Sequence, residues 1–158
     1  MRTLKTTITF IICLLIPLII GGISGFATAH GIHDWYITLH KPSFNPPNYL
    51  FGPVWTFLYV LMGISLFMIW RSPKGKKRSD ALTIFIIQLI LNFLWSFLFF
   101  RFRLISFAMM DLALIWIAIL LMIIIFKRVS KTAAFLQLPY LLWVSFAAIL
   151  NGAIWFLN

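Results

Sequence analysis

Along this chain the polar residues fall in short clusters, and the stretches between them are almost wholly apolar. Such stretches run at about 8–29, 51–70, 81–100, 105–126 and 133–157. Each is long enough for a helix to cross roughly 30 Å of hydrocarbon at about 1.5 Å per residue. The pattern predicts an all-α integral membrane protein, a bundle of five transmembrane helices forming a single domain over residues 1–158. The first stretch also reads as a secretory signal, because MRTLK precedes an apolar core and Ala27-Thr28-Ala29 has the form of a cleavage site. Its apolar run is longer than a usual signal core, so it is expected to stay as a helix.

Within the spans the polar and aromatic residues keep helical spacing. Trp55, Tyr59 and Met62 lie at i, i+4, i+7, as do Gln88, Asn92 and Trp95, while Trp143, Ala147 and Asn151 step by fours. Each helix therefore offers one stripe, and small Ala147 leaves room between larger neighbours. Stripes of indole, phenol and amide groups facing one another predict a walled cavity.

Composition and charge then fix the solvent and the orientation. The chain is 63% hydrophobic and 10% charged, with no Glu and three Asp, which excludes a water-soluble surface. Ten of its thirteen basic residues fall at one set of ends: Arg2 and Lys5, five in loop 71–80, and Lys127, Arg128 and Lys131. The positive-inside rule reads this as a cytoplasmic N-terminus and an outward C-terminus. Nucleic-acid binding is not expected, since the charge sits in short loops at helix ends. Counting from the outer ends places Trp55, Tyr59, Asn92, Trp95, Asp111, Ala147 and Asn151 roughly 7–15 Å below the outer boundary, with Trp143 somewhat deeper.

Structural explanations compete with functional ones. A membrane-interface belt accounts for Trp35, Trp70 and Trp155 but not for Trp116 and Trp143 near mid-span. Asn92 and Asn151 fit an interhelical hydrogen bond as well as a ligand contact. Asp111, an acid in hydrocarbon, fits either a functional site or a pairing with Arg101 or Arg103. Pro42, Pro46 and Pro47 stiffen loop 30–50 into a lid over the cavity, and Pro139 interrupts the last span. Gly21 and Gly25 form a GxxxG pair suited to close packing, within the subunit or across a dimer. His30, His33 and His40 share the outer loop with Asp34 without the spacing of a zinc motif, and the single Cys13 allows no internal disulfide. No metal site and no required cofactor are expected.

Three segments, WYxxLxKPxFxPPxxxFxPVWxxLYxxMG at 35–63, NxxWSxxFF at 92–100 and PYxxWxxFAxxLNxxIW at 139–155, together resemble the TspO/MBR family of tryptophan-rich sensory proteins and translocator proteins. The resemblance covers spans two to five in order and spacing. It implies five membrane helices, a homodimer, and binding of porphyrins, haem and drug-like molecules in a bacterial cell membrane. Carried over by position, it implies Trp55 and Trp143 as cavity walls, Asn92 and Trp95 on the third span, Tyr36 near the lid and Ala147 on the fifth. The segment LNGAIWFLN lacks the Tyr and basic residue of the animal cholesterol-recognition segment, so tight cholesterol binding is not expected.

Two classes of function follow. As a receptor or sensor, the protein would hold a flat tetrapyrrole between indoles, with polar groups such as Lys41 at the mouth for its carboxylates. As an enzyme, it would carry out the light- and oxygen-dependent breakdown of bound porphyrin that the resemblance implies for some bacterial members, with Trp55 and Trp143 as redox-active neighbours. A small-molecule transporter driven by protons is the weakest reading, because Asp111 is the sole acid within the spans.

Overall fold

A computed structural model describes residues 2–158, and its described residues contain helices and turns without strands. The helices are α1 (Arg2–Asp34), α2 (Phe51–Trp70), α3 (Lys76–Ser96), α4 (Ile105–Lys127), α5 (Lys131–Phe135) and α6 (Leu138–Leu157). Five helical spans, the last built from α5 and α6, are long and apolar enough to cross a membrane. The protein is thus a multi-pass integral membrane protein in contact with the lipid bilayer. With an odd number of crossings, the N-terminus lies at the end of the bundle that carries loops 71–75 and 128–130. The connection 35–50 and the C-terminus lie at the other.

Several boundaries differ from those read in the sequence, each for a local reason. The first helix runs on through His30, His33 and Asp34, so these residues occupy its final turns instead of a loop. Polar residues at a membrane surface do not stop a helix whose backbone bonds remain satisfied. The third span begins at Lys76 and ends in a π-helical turn, Phe97–Arg101, where the Phe102 N–H donates to the Phe97 carbonyl at 2.8 Å. That wider turn swings Phe99 and Phe100 into the interior, where both are buried. Arg103 then reverses the chain with a left-handed backbone, φ 59°.

The fifth span is two helices rather than one interrupted helix. After α5, capped by the Ser130 side chain accepting from Ala133 N–H, the chain turns at Leu136 and Gln137. Pro139 falls in the first turn of α6, where its missing N–H breaks no helical bond. Buried Gln137 donates to Ser65 Oγ on α2 at 2.6 Å, which ties this turn to the bundle.

Close approach of α1 and α2 depends on two glycines. A Cβ on Gly63 would stand 2.7 Å from the Leu14 Cα, and one on Gly21 would collide with the Tyr59 ring. The α1 glycines therefore act within the subunit at Gly21, whereas Gly25 faces open space. Between α4 and α6, Trp116 Nε1–H donates to Ser145 Oγ at 2.8 Å and Trp155 Nε1–H to Ser106 Oγ at 3.0 Å. Trp116 is accordingly a packing residue between helices.

Candidate functional site

Beneath the 35–50 connection, aromatic residues of α2, α3, the π turn and α6 enclose space. The larger cavity, about 370 Å³, lies between α1 and α2 and is backed by α3. Trp55 and Tyr59 of α2 and Trp95 of α3 wall it, with Phe51 and Phe100 at the top. Its α1 wall is mostly of small residues, Gly21, Gly22, Ser24, Gly25, Thr28 and Ala29, with Leu18 and Ile32 at its two ends. A smaller cavity of about 30 Å³ lies toward α6, lined by Tyr36, Trp143, Ala147 and Asn151 among others. Phe51, Trp55, Trp95 and Phe100 line both, so these four rings form the partition between them.

The partition is held by ring contacts. Trp55 stacks on Tyr59 at 5.6 Å and 29°, and Trp95 on Phe99 at 5.5 Å and 17°. Trp143 meets Phe51 edge-on at 6.3 Å and Phe146 at 5.5 Å. Trp95 Nε1 and Ser24 Oγ at the larger cavity, and both amide atoms of Asn151 at the smaller, are buried with no hydrogen-bond partner. Buried polar atoms are ordinarily paired, so these four stand out from the rest of the interior.

Asn92 behaves otherwise. It lines neither cavity: its Oδ1 accepts from Tyr59 Oη at 2.6 Å and its Nδ2 donates to Tyr140 Oη at 2.9 Å. The amide thus locks α2, α3 and α6 together behind the Trp55–Tyr59 stack. Asp111 lines neither cavity either. The two indole bonds between α4 and α6 set an antiparallel register that brings Asp111 level with Leu150, and its Oδ2 is buried without a partner. Pairing with Arg101 or Arg103 is not seen; among the described residues the ion pair is Lys76–Asp80.

The 35–50 connection is braced from three directions. Buried Tyr36 donates its hydroxyl to Asn45 Oδ1 at 2.5 Å and packs its ring against Phe51, Phe99 and Phe100. Burial pushes the Tyr36 phenol up to about 12. Lys41, expected at the cavity mouth, instead turns back into the loop: its Nζ donates to the Tyr36 carbonyl at 2.7 Å and the Leu39 carbonyl at 3.2 Å, and sits 4.9 Å from the Tyr36 ring centre. The Asn158 side chain exchanges two 3.0 Å bonds with the His40 backbone.

A separate cleft of about 380 Å³ adjoins the larger cavity across Phe100 and contains His30, Asp34, Arg101 and Arg103. Among the described residues no three His, Cys, Asp or Glu side chains come together to hold a metal ion.

Of the residues singled out from the sequence, Tyr36, Trp55, Tyr59, Trp95, Trp143, Ala147 and Asn151 line these two cavities and Asn92 supports them from behind. Missed were the whole α1 wall and the partition rings Phe51 and Phe100. The small residues Gly21, Gly22, Gly25 and Ala29 carried a signal, but one that reads equally as helix packing.

Residues 13–156 match the TspO/MBR family profile. The chain belongs to the TspO/MBR family. It is 43% identical over 145 residues to a tryptophan-rich protein TspO of Archaeoglobus fulgidus, covering 92% of this chain and 94% of the relative. A tryptophan-rich protein TspO of Chlorobaculum tepidum is 40% identical over 155 residues, 98% of each chain. The human translocator protein is 37% identical over 134 residues, 84% of this chain and 79% of the relative. Membership in the TspO/MBR family supports a membrane sensor or receptor role, and the bacterial relatives support a bacterial membrane.

Proposed function

We propose that this TspO/MBR protein is a membrane receptor for flat, hydrophobic ligands of the tetrapyrrole class, protoporphyrin IX and haem, and for drug-like molecules of similar shape. The observation that carries the reading is the indole-walled cavity of about 370 Å³ whose edge holds the unpartnered Trp95 Nε1 and Ser24 Oγ. Ligand pockets have this build: mostly apolar and aromatic walls with a few convergent polar atoms, in the range of about 300–1,000 Å³. A macrocycle lies against Trp55 and Trp95 and gains offset stacking beyond its burial. The cavity lining contains no His, Cys or Met, and the hydroxyl of its one tyrosine, Tyr59, is given to Asn92, so haem and its metal-free analogue are held alike, by the ring faces.

Acidic arms of such a ligand need a basic partner, and Lys41 is committed to the lid's own carbonyls. Arg101 and Arg103, across Phe100, take that role in this reading. A homodimer, which the family resemblance implies, is part of the same proposal, and no resident cofactor is needed.

A second reading, light- and oxygen-dependent breakdown of the bound porphyrin, is favoured by the position of Trp55. It reaches both cavities and stacks on Tyr59, so an indole beside an excited macrocycle has a phenol as its immediate neighbour. Trp143 touches the small cavity alone and is the more remote partner.

The test is absorbance of the purified protein titrated with protoporphyrin IX in darkness and under illumination. Saturable spectral shifts in darkness are expected, with weaker binding of the dimethyl ester and of the Arg101→Gln/Arg103→Gln protein. No saturable shift refutes the receptor reading, and loss of the porphyrin band only on illumination selects the second.

A further inference from the structure

Away from the aromatic cavities, at the end of the bundle that carries loop 71–75, α1 and α3 form the walls of an apolar groove of about 480 Å³ with α2 between them. Its floor is buried: Cys13, Leu66, Phe85 and Leu89 are each at most 6% exposed. Its rims, Ile12 and Ile16 on α1 and Ile86 and Ile90 on α3, are 41–56% exposed toward the bilayer. The groove therefore runs lengthwise along the lipid-facing surface for about three helical turns and opens sideways into hydrocarbon.

Both walls end in a basic residue at the same mouth. On α1, Lys5 precedes the lining residue Thr9 by four positions and so shares its face; on α3, Arg78 precedes Leu82 by four. Trp70, which lines the groove at that mouth, carries the Arg78 guanidinium 4.8 Å from its ring centre, holding the cation at the groove's end. The nearest acid in sequence, Asp80, is engaged by Lys76. An apolar channel capped by two cations matches one ligand chemistry, an alkyl chain bearing an anionic head.

We propose that this groove is a binding site for one anionic phospholipid of the leaflet at that end of the bundle, with an acyl chain in the groove and the phosphate between Lys5 and Arg78. The arginine fork suits phosphate oxygens, and Lys5 adds a point charge from the opposite wall. A second copy of the chain fits less well. Twofold pairing through this face sets Lys5 and Arg78 of both copies at one depth, where like charges repel.

Native mass spectrometry of the full-length protein, equilibrated with equal amounts of phosphatidylglycerol and phosphatidylcholine, tests this. One retained phosphatidylglycerol per chain is expected. The double variant Lys5→Gln/Arg78→Gln, altered only at the groove mouth, should lower that preference by about thirtyfold, roughly fivefold for each basic contact. Ile86→Trp, which fills the groove from its exposed rim, should remove the retained lipid while leaving both cations in place. Circular dichroism of each variant confirms that the helices are intact. Equal retention of the two lipids, unchanged preference in the double variant, or lipid carried by monomers and absent from dimers overturns the proposal.

Discussion

Removing a single oxygen from the lid tests whether the 35–50 connection gates the cavity. In Tyr36→Phe the ring keeps its contacts with Phe51, Phe99 and Phe100, and only the 2.5 Å bond to Asn45 is lost. Asn45 retains its Nδ2 donation to the Pro46 carbonyl, so the loop keeps its local turn. A neutral hydrogen bond of this kind contributes about 1 kcal/mol net. If the bond breaks whenever the lid lifts, its loss raises the open population about fivefold. Stopped-flow absorbance with protoporphyrin should then show association and dissociation both faster by about fivefold, with the equilibrium constant nearly unchanged, because a gate affects passage and not the bound contacts. Replacing Pro42, Pro46 and Pro47 by Ala loosens the same loop and should move the same two rates. Burial raises the Tyr36 phenol to about 12. Its stabilising contribution is therefore complete below the ordinary tyrosine value of about 10 and lost as pH rises through about 12, leaving the gate insensitive to pH near neutrality. Unchanged rates in both lid variants would refute gating by the loop and turn attention to the open side between α1 and α2, where Gly22, Gly25 and Gly52 leave space.

Three further outcomes are expected. Trp55→Phe should bind protoporphyrin with modest loss in darkness yet slow its illuminated breakdown sharply, with Trp143→Phe slowing it less; equal breakdown in the double variant would remove the indoles from that chemistry. Asn92→Leu leaves the Tyr59 and Tyr140 hydroxyls without their shared amide, and should cost about 1–3 kcal/mol in a thermal or denaturant assay while the porphyrin affinity falls far less; a loss of affinity with stability intact would make Asn92 a ligand contact. A C-terminal tag should be accessible from outside intact cells, as the basic loops require, and a protected tag would reverse the orientation.

Helix number and composition were legible because a bilayer leaves few choices: backbone groups must be satisfied internally, so an apolar run of spanning length is a helix. The stripes Trp55–Tyr59 and Trp143–Ala147–Asn151 were legible for a similar reason, since residues four apart share a helix face whatever the helix packs against. Periodicity also put Asn92 on an inward face, but which inward neighbour it meets is a property of three helices at once. Only the assembled bundle turns its amide to Tyr59 and Tyr140, leaving Asn151 unpartnered at the small cavity. Lys41 shows the same division. Its charge and its place beside the lid prolines were plain, whereas the path of the loop decides that its ammonium meets the carbonyls of Tyr36 and Leu39. The α1 wall was hidden because glycine carries no side chain to announce a role: Gly21 takes the Tyr59 ring and Gly25 borders empty space, a difference of less than two turns of helix that depends wholly on where α2 lies. Sequence therefore determined which faces turn inward, through the fixed geometry of the helix; tertiary structure decided which inward groups satisfy one another and which remain unpartnered, because hydrogen bonding between helices depends on their mutual register and distance.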